Sequence, residues 1–409
     1  MELRDLLKRL KDMAGSEMHV VAGLPPAVRV NRELTAMREL GRPTPEDVHN
    51  MVYSILAKEE IERFENDERW RYDLEFGRGI PDLGRFRFVV YKQRGTIAFT
   101  VRALSDTIPP LDSLGLPVGV LDFARSIRGL VLITGPSGSG RSTTLASLID
   151  RINHERTVRI MTIENPVEYT IPSDRAFVTQ REVGDGSDTL SIENALRYAG
   201  RQGVDVIMIG NLNSYETMRL ALELAEMGTL ILGSMFTFNA GQTLSRFVEC
   251  FPPEQQAQAV SQLSTNLIGI LSQVLLPRAD RRGRVLACEL MKVNALIQSE
   301  IRQQRFEAIY SIMQTTPMEG MQTLDQSLVE LARQNYIDYA TARPYIREES
   351  AHRMIYQLTG AGRLGVPMPP PSVRPTAAPE FGVPSRGPSD SQIRRRLGTA
   401  VIPPWEKQP

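Results

Sequence analysis

The sequence predicts an α/β protein in which a small α+β unit leads into a mostly parallel sheet covered by helices. Three observations carry that expectation. Between residues 118 and 350, the short apolar runs GLVLIT, VRIMTI, DVIMIG and TLILGSM alternate with helical stretches, as expected of strands buried on both faces. The first of these runs leads straight into the glycine-rich GPSGSGRSTTLASLID. Upstream the pattern is different: GRFRFVVYKQRGTIAFTVRAL alternates arginine with apolar side chains, the period of two that belongs to strands with one buried face. At 409 residues the chain exceeds the roughly 250 to 300 at which single cores stop growing, so two or three domains are expected.

Taken in order, MELRDLLKRLKDMAG places Leu3, Leu6, Leu7, Leu10 and Met13 on one helical face between charges. It reads as neither signal peptide nor membrane anchor, because no apolar run reaches the roughly 18 residues a span needs. A strand pair is expected around MHVVAGLPPAVRVN, helices through TPEDVHNMVYSILAKEEIERFEND, and strands in the arginine-rich segment. These complete a domain over residues 1–105. The stretch SDTIPPLDSLGLP has the proline and glycine density of a connector, taken as 106–117. The sheet domain follows over 118–350. From 360 to 409 the chain crowds in 11 of its 27 prolines and has few large apolar residues, so a disordered tail is expected. Within it, three consecutive arginines lie among Ile393, Leu397, Val401, Ile402 and Trp405, the composition of either a docking peptide or a solvated terminus.

Lys+Arg and Asp+Glu are both 48 and aromatic residues make up 6%. A single-strand nucleic-acid groove needs a basic stripe interleaved with stacking rings, so a nucleic-acid motor is poorly supported. Cys250 and Cys288 stand in separate segments without metal-ligand spacing, which favours reduced thiols in a cytosolic protein.

The chemistry concentrates in the glycine-rich loop. A phosphate loop needs glycines so that backbone N–H groups can turn inward, a helix N-terminus behind them, a lysine for the terminal phosphates and a hydroxyl for magnesium. Gly135, Gly138 and Gly140 supply the turns, with Pro136, Ser137 and Ser139 between them, and Ser142 and Thr143 supply hydroxyls. Arg141 stands where the lysine belongs. The swap keeps the charge but exchanges a slim ammonium for a wide planar fork.

The collinear segments GSEMHVVAGLPPAVRVN, GRFRFVVYKQRG, GPSGSGRSTTLASLID, TIENPVEY, DVIMIG, RFVECFPPEQQ and GMQTLDQSL resemble the PilT-like pilus-retraction ATPases of the type II/IV secretion ATPase superfamily, over residues 1 to about 350. The resemblance implies a PAS-like α+β N-terminal domain joined to a RecA-like P-loop domain. It further implies ATP and Mg2+ as ligands, a homo-hexamer or a mixed ring with active PilT-like ATPases, and the pilus inner-membrane platform protein as partner. The protein would then be cytoplasmic, or peripheral at the inner face of the membrane through the pilus machinery. By similarity, Glu164 is the retained acidic-motif carboxylate and, with Ser142, a magnesium contact. Arg87, Arg94, Arg102 and Arg284 are similar to the family's arginines that face nucleotide across a subunit or domain boundary. His19 is read as structural.

The same resemblance exposes four departures. The family's TIEDP is TIENP, with Asn165 for the aspartate; its glutamate after the next acidic-motif strand is Asn211; its histidine box has Thr229 and Phe236 in place of two histidines; and its loop lysine is Arg141. Asparagine keeps the shape of glutamate's head but accepts no proton at neutral pH. Any one change could be drift, but the four gather at the nucleotide end while the apolar runs and glycines stay orderly. The expectation is a nucleotide-binding ring subunit with reduced or absent hydrolysis, regulatory or structural in role. The alternative is an active retraction motor that uses Glu164 and Arg141.

Overall fold

The computed structural model describes residues 2–13, 15–30, 33–66, 73–104, 107–184, 187–316 and 320–361; almost all of the expected proline-rich tail lies outside them. The amphipathic opening segment forms α1 (Leu3–Asp12), with Leu3, Leu6, Leu7 and Leu10 buried. Met13 falls past its last turn and is exposed, a correction to the five-residue face. Then come β1 (Glu17–Val21), β2 (Ala27–Val30), β3 (Glu33–Ala36), α2 (Pro45–Tyr53), α3 (Lys58–Asn66), β4 (Asp73–Ile80), β5 (Gly84–Gln93) and β6 (Thr96–Ala103). The six strands make one antiparallel sheet in the order β3-β2-β1-β6-β5-β4. Helix α2 starts where Thr44 and Asp47 cap each other reciprocally and Pro45 takes the first turn, satisfying N–H groups the helix cannot pair itself. Inward residues of this sheet, among them Val20, Phe88, Phe99 and Val101, meet α1 and α2 in a core of their own.

Beyond a connector whose Leu111 is buried and whose Pro109 carbonyl accepts from Ser147 Oγ at 2.7 Å, the second sheet assembles. Its elements are α4 (Leu121–Arg125), β7 (Gly129–Thr134), α5 (Arg141–Glu155), β8 (Arg159–Glu164), β9 (Phe177–Glu182), α6 (Ile192–Ala199), β10 (Val206–Ile209), α7 (Tyr215–Glu226), β11 (Leu230–Met235), α8 (Ala240–Glu249), α9 (Pro253–Asn266), β12 (Leu267–Pro277) and β13 (Arg284–Lys292). The order is β13-β12-β7-β11-β10-β8-β9. Strands β12 through β9 run parallel and only β13 is antiparallel to its neighbour. The apolar runs are continuous because both faces are covered: Leu130 and Leu132 point into one core, Val131 and Ile133 into the other. The helices α10 (Ala295–Arg302), α11 (Ala308–Thr315), α12 (Leu324–Arg333), α13 (Tyr339–Ala342) and α14 (Glu349–Leu358) follow, so ordered helix continues past residue 350.

Candidate functional site

Parallel strands end on one edge of a sheet, and in open α/β sheets ligands bind outside those carboxyl ends. Here the glycine-rich loop leaves β7, Glu164 closes β8, Asn211 follows β10 and Phe236 follows β11. All four reach a single cleft of about 720 Å³.

The loop takes its shape from its glycines. Gly135 has φ +146° and a Cβ there would stand 2.3 Å from the Gln273 carbonyl oxygen, so no other residue fits. Gly138 and Gly140 also take positive φ, and Gly140 caps α5. Strand β12 secures the arrangement from the side: Thr134 Oγ1 donates to Ser272 Oγ and Gln273 Nε2 to Thr144 Oγ1, each at 2.8 Å. Residues Ser137 to Thr143 line the cleft, while Gly135 and Pro136 form the root of the loop. Ser139 Oγ, Asn211 Oδ1 and Gln273 Oε1 are buried without a hydrogen-bond partner among the described residues. Unpaired buried polar atoms are costly, and two of these, on Ser139 and Asn211, belong to residues that line the cleft, which suits it to a polar ligand.

Glu164 is 6% exposed. Its Oε1 accepts from Thr162 Oγ1 at 2.7 Å and from Gln180 Nε2 at 3.4 Å, but burial outweighs these donors and pushes the carboxyl up to about 7. Asn165 lines the same cleft and is joined to Pro166 by a cis peptide. Asn211 is brought beside Glu164 by Gly210, whose N–H donates to Ile163 O at 2.9 Å and whose carbonyl accepts from Ser234 Oγ at 2.6 Å. Arg141 does not extend into open space. Its Nη1 donates to the Met235 carbonyl at 3.0 Å, and its guanidinium carbon lies 3.7 Å from the Phe236 ring centroid. Burial lowers its pKa to about 10, against the pull of Glu168 in the other direction, so it stays charged at neutral pH.

Of the singled-out arginines, Arg87, Arg102 and Arg284 line the cleft. Arg87 pairs with Glu75 and reaches Glu168 at 3.9 Å. Arg102 lies 3.1 Å from Glu17, whose carboxyl Arg29 first and Arg102 next hold down at about 2. Arg284 Nη1 donates to the Gly138 carbonyl at 3.3 Å. Arg94 sits in the β5–β6 turn at φ +47°, outside the lining. Thr229 is likewise elsewhere: it precedes β11, at the strand end opposite Phe236, and its hydroxyl donates to Val204 O. His19 bridges Thr100 and Glu17 within the first sheet. Sequence reasoning passed over Glu168, Tyr169 and Gln273. Tyr169 and Glu168 were within reach, since they close the TIENPVEY segment, and the Tyr169 hydroxyl stands 2.9 Å from Thr143 Oγ1. Gln273, with Ser272 beside it the polar pair of an otherwise apolar strand, belongs to no quoted motif and so gave no signal.

A glycine loop between a buried parallel strand and a helix, with polar groups from two further strand ends, defines a P-loop α/β protein. The family model for type II/IV secretion system proteins matches residues 118–356. The chain is 35% identical over 345 residues to the Type IV pilus retractation ATPase PilT of Pseudomonas aeruginosa, covering 84% of this chain and 97% of that one. It is 34% identical to the Type IV pilus ATPase PilU of the same organism, over 88% and 92%. The crystal structure of the pilus retraction motor PilT with bound ADP superimposes with a TM-score of 0.78 at 38% identity, over 86% of this chain and 98% of that one. The chain therefore belongs to the type II/IV secretion system protein family, among its PilT-like ATPases. The Legionella pneumophila ATPase DotB, at 22% identity and a TM-score of 0.70, shares the fold.

Proposed function

We propose that this chain is a nucleotide-binding ring subunit of a type IV pilus or related secretion machinery in which ATP hydrolysis is strongly reduced. The observation that carries the reading is Asn211, an amide held beside Glu164 at the strand end where a carboxylate base would act. Phosphoryl transfer depends almost wholly on placed charge, and a lost general base costs about 10² to 10⁴ in rate. A second neutral amide, Asn165, adds to the loss. The loop remains: its glycine turns, the N-terminus of α5 and the hydroxyls of Ser142 and Thr143 suit a polyphosphate.

Among the described residues no group of three or more His, Cys, Asp or Glu is placed to hold a metal, so those residues build no all-protein cage. A magnesium ion that arrives with nucleotide needs only one or two protein groups, and the Ser142 hydroxyl and Glu164 carboxylate in the same cleft fit that demand. When bound, magnesium neutralises phosphate charge. The chain's own part is to hold the phosphates on backbone N–H groups, with Arg87, Arg102 and Arg284 contributing positive charge at the rim.

The second reading, an active retraction motor, is favoured by one observation. Glu164, with its carboxyl near 7, is poised as a general base should be. Phosphate release by the purified full-length protein, measured beside a nucleotide titration, separates the two. Binding with turnover reduced at least a hundredfold from that of PilT supports the first; turnover near that of PilT supports the second. On the first reading the role in the ring is to join or cap a motor ring, or to compete with active retraction subunits for the membrane platform.

A further inference from the structure

Arg141 and Phe236, two departures from the family pattern, are in contact with each other. Arg141 opens α5 and Phe236 follows β11, yet the guanidinium carbon is 3.7 Å from the ring centroid, van der Waals contact. The Met235 carbonyl accepts a hydrogen bond from Nη1 at 3.0 Å. Phe236 is 57% exposed, a large apolar side chain on the wall of a polar cleft, so it joins no core. A cation over an aromatic face gains from the ring's quadrupole. The planar guanidinium can meet the ring and the carbonyl together, whereas a lysine ammonium is a point charge on a thin stem.

We propose that Phe236 and the Met235 carbonyl form a holding site for the Arg141 guanidinium, so that the phosphates of a nucleoside di- or triphosphate must compete with the protein for the loop's own cation. The inference rests on the reading of the loop as a nucleotide site and adds a determinant of affinity to it. Phe236 is then a positioning residue that acts through Arg141. The two substitutions belong together, since the arginine that replaces the lysine is held by the ring that replaces the histidine.

The test is a calorimetric titration of the full-length protein with Mg-ADP. Phe236→Leu keeps apolar bulk but removes the aromatic face, and the exposed position leaves the core untouched. It is expected to tighten binding by about fivefold. Phe236→Tyr, which keeps the face, should stay within about twofold of the parent. In an Arg141→Ala background, Phe236→Leu should change nothing, which a merely structural role for the ring would not produce. A parent that binds Mg-ADP while Phe236→Leu binds it equally or more weakly overturns the holding site and leaves the nucleotide reading standing. An equal gain with and without Arg141 overturns it too. If neither parent nor variants bind Mg-ADP at millimolar concentration, the nucleotide reading fails and the holding site with it.

Discussion

Glu164 illustrates how a single side chain can trade stability for chemistry. Its carboxyl lies near 7 in the fold against 4.5 when unburied, so the folded protein prefers the neutral form. Below pH 4.5 the residue is protonated in both states and costs nothing. As pH rises towards 7 the unfolded chain gains by ionising and stability falls, levelling off above 7. Glu164→Gln removes that cost and can still accept from Thr162. We expect the variant to be more stable than the parent at pH 8, by up to about 3 kcal/mol, with the difference vanishing near pH 4; denaturant titrations at the two pH values measure it. A variant no more stable at pH 8 would mean that the carboxylate is solvated in the fold. At this scale the sequence was legible where identity alone matters: Asn165 and Asn211 are amides wherever they sit. It was not legible where placement matters. Thr229 and Phe236 look equivalent in a motif, but a strand of six residues separates them by roughly 20 Å at 3.3 Å per residue, so only Phe236 reaches the cleft.

On the proposed reading nucleotide binding depends on the loop between β7 and α5, whose glycines are not equivalent. Gly135→Ala would drive a Cβ into the Gln273 carbonyl at 2.3 Å and must displace β12 or the loop; a loss of more than about 3 kcal/mol is expected, together with loss of nucleotide binding. Gly138 has open space around it at φ +75°, so Gly138→Ala should cost about 1 kcal/mol, from backbone conformation alone. Chemical denaturation of the two variants checks the ranking, and equal losses would contradict it. Elements such as β7, β8, β10 and β11 were legible because burial on both faces writes them as largely apolar runs. The edge strand β9 was not: none of the six residues of FVTQRE is buried, so no apolar run marks it. Strand β4, with DLEFGRGI, is interrupted by two glycines and was missed for a related reason.

Across the whole molecule, the two sheets meet through Arg85 of β5, whose Nε donates to the Val167 carbonyl at 2.9 Å and whose Nη2 reaches Glu182 of β9 at 2.5 Å. Both side chains are largely shielded, 29% and 18% exposed, so Arg85→Ala should cost about 1 to 3 kcal/mol and loosen the cleft, seen as faster amide exchange at Val167. Unchanged exchange there would show that the meeting of the sheets does not depend on Arg85. If the fold retains its nucleotide site while its hydrolytic groups have been replaced in place, putting those groups back restores turnover. Arg141→Lys, Asn165→Asp, Asn211→Glu and Phe236→His all fall in the one cleft; Thr229 is left alone because it lies at the far end of its strand. Groups that act as a unit are strongly non-additive, so the four are made together and phosphate release is measured against the parent. The account predicts a gain of at least about a hundredfold in turnover; a parent that already turns over as fast as the fourfold variant, or loses turnover on conversion, would contradict it.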